Sequence, residues 1–329
     1  MKAILGVDIA KLSFDAALLI DKKFYCKKFS NNQNGFEKLA IWLQSKNISS
    51  AHACMEATGN YGLRLAEWLS EREFVVSIIN PASIKGFAQS QLTRNKTDEA
   101  DAKLIARFTK VLIPKAWIPP RAEVRELRDL VDRCENLKVM LGQEKNRLEM
   151  QRNEEVQKSI RMHITWLEDE LLELEKAIQQ KIDKDPDLKG QNELLQSIPG
   201  IGEKTSATVL AYVAFERFKS AKEISAFIGV NPRQRTSGTS IRGRTRLSKT
   251  GNAYLRKSLY MPSLSALRFN STIKSFAKQL ANNGKTKMVI IGAVMRKLVH
   301  IMYGVLKSGE AFDPAYNTHK KFRIEENVA

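Results

Sequence analysis

The sequence predicts a layered α/β region followed by a mostly helical region, with a long helical connector between them. Three observations predict this. Short apolar runs such as "AILGVDIA" and "FVVSIIN" alternate with amphipathic stretches before residue 85. Residues 160–182 carry Ile160, Ile164, Leu167, Leu171, Leu174, Ile178 and Ile182 at spacings of four and three, the seam of a coiled coil. Beyond Asp185-Pro186-Asp187, which breaks that helix, the pattern reads as helices with turns at Pro199–Gly202, Asn231–Pro232 and Gly251–Asn252. The chain therefore divides into 1–120, 121–185 and 186–329.

Taken in order, "AILGVDIA" reads as a buried strand. "FDAALLI" and "KKFYCKKF" follow as strands, with Lys22-Lys23 in the turn region between them. "NGFEKLAIWLQSK" has the spacing of an amphipathic helix, opened by Asn34. "AHACMEATG" is a strand, "YGLRLAEWLSERE" a helix, and "FVVSIIN" a strand ended by Pro81. Three strands, a helix, a strand, a helix and a strand make an α/β layer with a mixed sheet. Val124, Leu127, Val131, Cys134 and Leu141 suggest a helix that precedes the 160–182 seam on the same plan, with charged residues 144–158 between. The length of the seam and its place between two domains favour a dimerising coiled coil, with an internal helical hairpin as the alternative. The last ~15 residues read as frayed.

Composition narrows the function. The 329 residues hold 54 Lys+Arg against 36 Asp+Glu, a net charge of +18. Such a balance calls for a polyanionic partner, nucleic acid first. Cys26, Cys54 and Cys134 are scattered, with no CxxC or Cys/His spacing. That argues against a zinc site or a disulfide framework and for a reducing compartment. No signal peptide is read at the N-terminus, and no apolar run approaches the length of a membrane span. The four histidines stand apart from one another and read as structural.

Against that basic background, "NKTDEADAKLIARF" places Asp98, Glu99 and Asp101 in four positions. On a helix Asp98 and Asp101 share a face and Glu99 points elsewhere. Taken alone these acids suit a first helical turn, where the macrodipole favours them. They are not alone: Asp8 lies inside the first apolar strand, and Glu56 ends "ACMEATG". Buried acids are costly unless paired or bound to metal. Acids on a first strand, a later strand and a later helix form the layout of a ribonuclease-H-like site, able to hold Mg²⁺ for in-line attack on a phosphodiester.

Two further stretches suit nucleic acid. "LLQSIPGIGEKTSATVLAYV" reads as two helices around Pro199-Gly200-Ile201-Gly202, a helix-hairpin-helix in which Gly200, Gly202 and Lys204 meet a phosphate backbone. An ordinary helical corner is the alternative. "NPRQRTSGTSIRGRTRLSKTGNAYLRKSLY" holds Arg233, Arg235, Arg242, Arg244, Arg246 and Lys249 with no acid among them. Hydroxyls within it, among them Ser237 and Ser240, either contact phosphate or act as a nucleophile supported by guanidiniums.

"GVDIAK", "MEATGNYG", "NKTDEADAKLIA", "SIPGIGEKTSA" and "SGTSIRGRTRLSKTGNAYLRKSLY" occur in this order, and together they resemble the DEDD insertion-sequence transposases related to the Piv/MooV DNA invertases. The resemblance spans the chain. It implies a RuvC-like N-terminal domain whose acidic tetrad, here Asp8, Glu56, Asp98 and Asp101, binds Mg²⁺, with Mn²⁺ as a substitute. It implies a C-terminal transposase domain with a catalytic serine, here Ser237, with Ser240 the alternative. It further implies donor and target DNA as substrates and a structured noncoding bridge RNA as guide. Homodimers joining into a tetramer, in which one subunit's RuvC-like domain meets another's serine domain, also follow from it. So does a bacterial, cytoplasmic location, on the nucleoid when DNA is bound. The expected activity is strand cleavage and rejoining through a phosphoserine. A RuvC-like hydrolytic DNA nuclease, with Ser237 merely binding phosphate, is the alternative, and a non-catalytic nucleic-acid binder is a third reading.

Overall fold

In the computed structural model, which describes residues 3–57, 59, 61–92, 97–237 and 241–315, β1 (Ala3–Ile9) is the middle strand of a five-stranded sheet. β2 (Ser13–Ile20) and β3 (Lys23–Ser30) extend it on one side as an antiparallel meander. After α1 (Gln33–Gln44), β4 (Ala51–Glu56) joins β1 in parallel on the other side. α2 (Leu63–Ser70) then leads to β5 (Val75–Ile79), parallel to β4. The order is β3-β2-β1-β4-β5, a mixed sheet. α1 opens at Asn32, whose side chain accepts from the Gly35 amide, rather than at Asn34 as its sequence suggested.

The period of two along β1 and β4 assigns the two faces. Leu5, Val7, Ala53 and Met55 share a core with Phe36, Leu39 and Trp42 of α1 and with Leu65 and Leu69 of α2. Cys54 points to the opposite face, where Ile79 and Ile84 meet Leu104, Ile105 and Phe108. Ile84 belongs to α3 (Pro81–Ser90), and the last three to α4 (Asp98–Leu112). Thr97 caps α4 by accepting from the Ala100 amide, and the helix stops at Ile113, which is left-handed. These elements lie in the first of two compact units, Met1–Pro119; the second is Pro120–Ala329.

The second unit starts with α5 (Ala122–Met150) and α6 (Glu154–Lys184). The two apolar stripes face each other within the chain: Cys134 and Leu137 pack with Leu167 and Leu171. Charged residues 144–150 continue α5, and the reversal is confined to 151–153. Glu144, buried between the helices, takes Arg147 at 2.6 Å and His163 at 3.3 Å. Leu127, Val131 and Ile182, at the other end, belong to the main core of the unit.

α7 (Pro186–Gln196) follows α6 after a single residue. Asp185 both ends α6 and caps α7, accepting from the Asp187 and Leu188 amides at 2.9 and 3.0 Å, and it also holds Arg121 at 3.2 Å. α8 (Glu203–Tyr212), a 3₁₀ turn at Phe215–Arg217 and α9 (Ala221–Ile228) come next. Arg128 donates to the Ala211 carbonyl and Tyr212 to Asp132, fixing α8 to α5. The basic stretch then departs from its expected helix-and-turn reading. It forms a hairpin of β6 (Pro232–Ser237) and β7 (Ile241–Leu247). α10 (Ala253–Ser258), α11 (Tyr260–Phe269), α12 (Ser271–Asn282) and α13 (Lys287–Ser308) complete the unit.

α13 corrects a third expectation. Its 22 residues, at a mean hydropathy of 1.7 in its most apolar window, are long and apolar enough to cross a membrane. Its apolar face is instead spent on the core, through Ile291, Val294, Met295, Leu298, Val299 and Met302. The frayed reading of the C-terminus falls on 316–329, outside the described residues.

Candidate functional site

Gly6 creates the acidic site. A Cβ on Gly6 would lie 2.2 Å from the Ala102 carbonyl oxygen and 2.5 Å from the Ala106 nitrogen, so α4 rests directly on the β1 backbone. Asp8, two residues on, lies on the same face. The close approach brings the first turn of α4, with Asp98 and Asp101, to the end of β1. Burial pushes the Asp8 carboxyl up to about 6, and the charges of Asp101, Asp98 and Asp15 push in the same direction. The β1–β4 register runs from Ala3–Ala51 to Val7–Met55, and Asp8 and Glu56 follow it on the face of Cys54. Glu99 turns away and pairs with Lys103 at 2.6 Å, which lowers its pKa. The split between Asp98/Asp101 and Glu99 is the one that helical spacing implies.

Two participants are absent from the sequence reading. Asp15 stands directly opposite Asp8 in the β1–β2 register, and Lys28 stands opposite Asp15 on β3. The Lys28 ammonium lies 3.1 Å from Asp15 and 3.3 Å from Asp98, tying the sheet to α4 across the acids. An acid inside the apolar run "FDAALLI" is the same signal that singled out Asp8. Lys28 carries no such signal, because only strand pairing brings it there. Among the described residues, no three acidic, His or Cys side chains converge closely enough to enclose a metal ion. The donors are hard carboxylate oxygens, the type that Mg²⁺ takes. The group fits that cation in chemistry, with its side chains still apart.

In the second unit, Ser237 is the last residue of β6 and pairs with Ile241. Gly238 and Ser240 lie outside the described residues. Backbone pairing sets Arg233 opposite Arg246, Arg235 opposite Gly243 and Thr236 opposite Arg242, with an irregularity between Arg233 and Arg235. Arg244 falls within the same strand, β7. Like charges directly opposite destabilise a bare hairpin, and a polyanion laid along it reverses the sign. Arg233, Arg246 and Lys249 are exposed.

The 197–202 turn has a structural account of its own. Gly200 has φ +106°, and a Cβ there would meet Ala266 at 2.8 Å, so both conformation and packing demand glycine. Gly202 starts α8 without a side-chain cap, and Lys204 reaches back to Glu175 at 2.8 Å.

Acids beneath a helix on a mixed sheet, in a chain that also carries an arginine hairpin, define a class: proteins that process nucleic-acid strands. Comparison with known proteins gives the family. Residues 5–151 match the DEDD transposase model of the IS110 type, and residues 192–278 match the model described as "Transposase IS116/IS110/IS902 family". The pilin gene-inverting protein of Moraxella bovis is 36% identical over 317 residues, which span 95% of this chain and 98% of that protein. Its counterpart in Moraxella lacunata matches to the same extent. The transposase for insertion sequence element IS1111A of Coxiella burnetii is 40% identical over 77 residues, 22% of this chain and 20% of that protein. The chain belongs to the IS110 family of transposases, DNA-cleaving recombinases of insertion sequences.

Proposed function

We propose that this chain cleaves and rejoins DNA through a phosphoserine, using the acids of one unit and the serine of the other. One observation carries the reading: Gly6 lets α4 lie on β1, so that Asp98 and Asp101 bear on Asp8 at the end of a strand. In this reading Asp8, Glu56, Asp98 and Asp101 hold Mg²⁺ or Mn²⁺, which when bound polarises the scissile phosphate. Ser237 supplies the nucleophile. Its oxygen bonds to phosphorus as its proton passes to water, the bond to the leaving sugar oxygen breaks, and that oxygen takes a proton from water as a strand hydroxyl. Attack by the hydroxyl of the exchanged strand releases the serine, so phosphodiester energy is conserved without ATP. Arg233, Arg235, Arg242, Arg244, Arg246 and Lys249 hold the phosphates, and Gly200, Gly202 and Lys204 offer a second grip.

The remaining parts of the proposal rest on family resemblance. They are a RuvC-like first domain, a bridge RNA that pairs with donor and target DNA, and dimers assembling into a tetramer so that acids and serine meet between subunits. The Moraxella relatives are named pilin gene-inverting proteins, and a name that denotes gene inversion supports DNA exchange over simple hydrolysis.

Asp101→Asn tests the acidic site. Cleavage of supercoiled substrate is expected to disappear while DNA affinity is retained, since the basic surface is untouched. Wild-type cleavage by this variant rules the tetrad out.

A further inference from the structure

The arginine hairpin does not pack flush on α13. Between them lies a groove of about 530 Å³, within the range of clefts that hold small ligands. Its walls are apolar: Leu247 from the hairpin, Phe276 from α12, and Met288, Val289, Gly292 and Ala293 from α13. Gly292 and Ala293 keep this side of α13 low where it faces the hairpin. Met288 and Val289 at the mouth are 64% and 47% exposed, an unusual place to leave such side chains.

The charged groups at the groove all carry one sign. Arg246, Lys249, Arg296 and Lys297 line it, and no acid does. Arg296 Nε and His300 Nε2 belong to residues of this lining and are buried without a hydrogen-bond partner, so either side chain gains a bond by turning towards a polar group in the groove. Such atoms are expensive to leave unsatisfied. The matching ligand has a flat apolar body, a hydrogen-bonding edge and flanking negative charge. A nucleobase within a strand has all three.

We propose that this groove receives an unpaired base of the DNA strand. The face of the base lies against the apolar walls, the Arg296 and His300 side chains turn into the groove to bond its edge, and its neighbouring phosphates rest on Arg246 and Lys249. DNA is the occupant because the family acts on DNA. The inference rests on the reading that the hairpin holds the strand, and it adds that the strand is held with a base out of the stack. An exchange that separates strands before rejoining them gains a hold that paired DNA cannot occupy.

Binding of an oligothymidylate is compared with that of an abasic deoxyribose-phosphate oligomer of equal length. For the wild type, removing the bases is expected to weaken binding roughly five- to a hundredfold. In Ala293→Trp, which fills the groove, that ratio is expected to fall towards one, while affinity for the abasic oligomer stays within about twofold of wild type. A Trp variant with the wild-type ratio overturns the proposal. If Ala293→Trp fails to melt cooperatively, a thiothymidine oligomer photocrosslinked to wild-type protein decides instead. Adducts on Phe276 or on residues 288–300 support the groove, and adducts only elsewhere overturn it. A base contribution seen with oligouridylate and not with oligothymidylate overturns the choice of DNA. Failure of wild type to bind any of the oligomers overturns the hairpin reading itself.

Discussion

Gly6 and Ala102 are packed backbone to backbone: a Cβ on Gly6 would stand 2.2 Å from the Ala102 carbonyl oxygen. Neither side can give way by rotating a side chain. Gly6→Ala is therefore expected to lift α4 from β1, at a cost of about 1–3 kcal/mol or more. The melting temperature should fall, and cleavage should fall further than stability explains, because Asp98 and Asp101 ride on that helix. Unchanged melting and activity in Gly6→Ala would show that the two elements do not approach this closely.

Lys28 spans Asp15 and Asp98 where a cation is wanted. Its removal leaves carboxylates without that counter-charge. Lys28→Met is expected to bind Mn²⁺ severalfold more tightly than wild type, read by calorimetry, and Asp15→Asn to bind it more weakly. Equal affinities in all three proteins would separate this ion pair from the metal question.

The nucleophile is tested at two serines. Ser237→Ala is expected to abolish cleavage and exchange, and Ser240→Ala to reduce them only in part. Labelled DNA trapped on wild-type protein and resolved under denaturing conditions should map to Ser237, and the adduct should require Asp8, Glu56, Asp98 and Asp101. An adduct at Ser240 moves the nucleophile. Cleavage without any adduct favours the hydrolytic nuclease.

His300 gives the second unit a pH dependence. Burial, with Arg296, Lys297 and Lys222 nearby, holds its imidazole below the ordinary value of 6.5. The folded state thus binds this proton less readily than the unfolded state. Stability is fully present above the ordinary value and is lost as pH falls below it. Between about pH 7 and about pH 5, wild type should lose more thermal stability than His300→Gln. Parallel losses in the two proteins would show that other groups set the dependence.

Leu167 is fully buried against α5, so the seam read from 160–182 is consumed within one chain. Leu167→Ala is expected to cost about 2–5 kcal/mol as a cavity in the hairpin. Self-association through this hairpin has to use its outward residues, of which Met162 and Trp166 are 61% and 49% exposed and one turn apart. Met162→Glu with Trp166→Glu should lower the mass seen by light scattering with melting preserved. Dimers that survive this pair of changes use another surface.

The sheet was legible because its central strands are buried on both faces and read as apolar runs, with Asp8 conspicuous inside one. The acids of α4 were legible through helical spacing. The hairpin was not. "RQRTS" and "IRGRTRL" lack an apolar alternation, and their pairing rests on backbone hydrogen bonds that leave no mark on residue type. Lys28 was missed because it reaches the acids only through register. Gly200 was legible as the residue of a tight turn, in keeping with its positive φ, but its fit against Ala266 depends on a distant helix and leaves no mark on the local sequence.

Asp185 joins α6 to α7 with no residue to spare and is tied to Arg121 ahead of α5. The root of the hairpin is thereby anchored, while its far end turns in the three residues 151–153. Paired insertions of seven residues at that end would extend the arm by about 10 Å each and return every stripe residue to its partner's side. Reach and anchorage are thus separately adjustable, and relatives can differ in the span they bridge while keeping the same foundation.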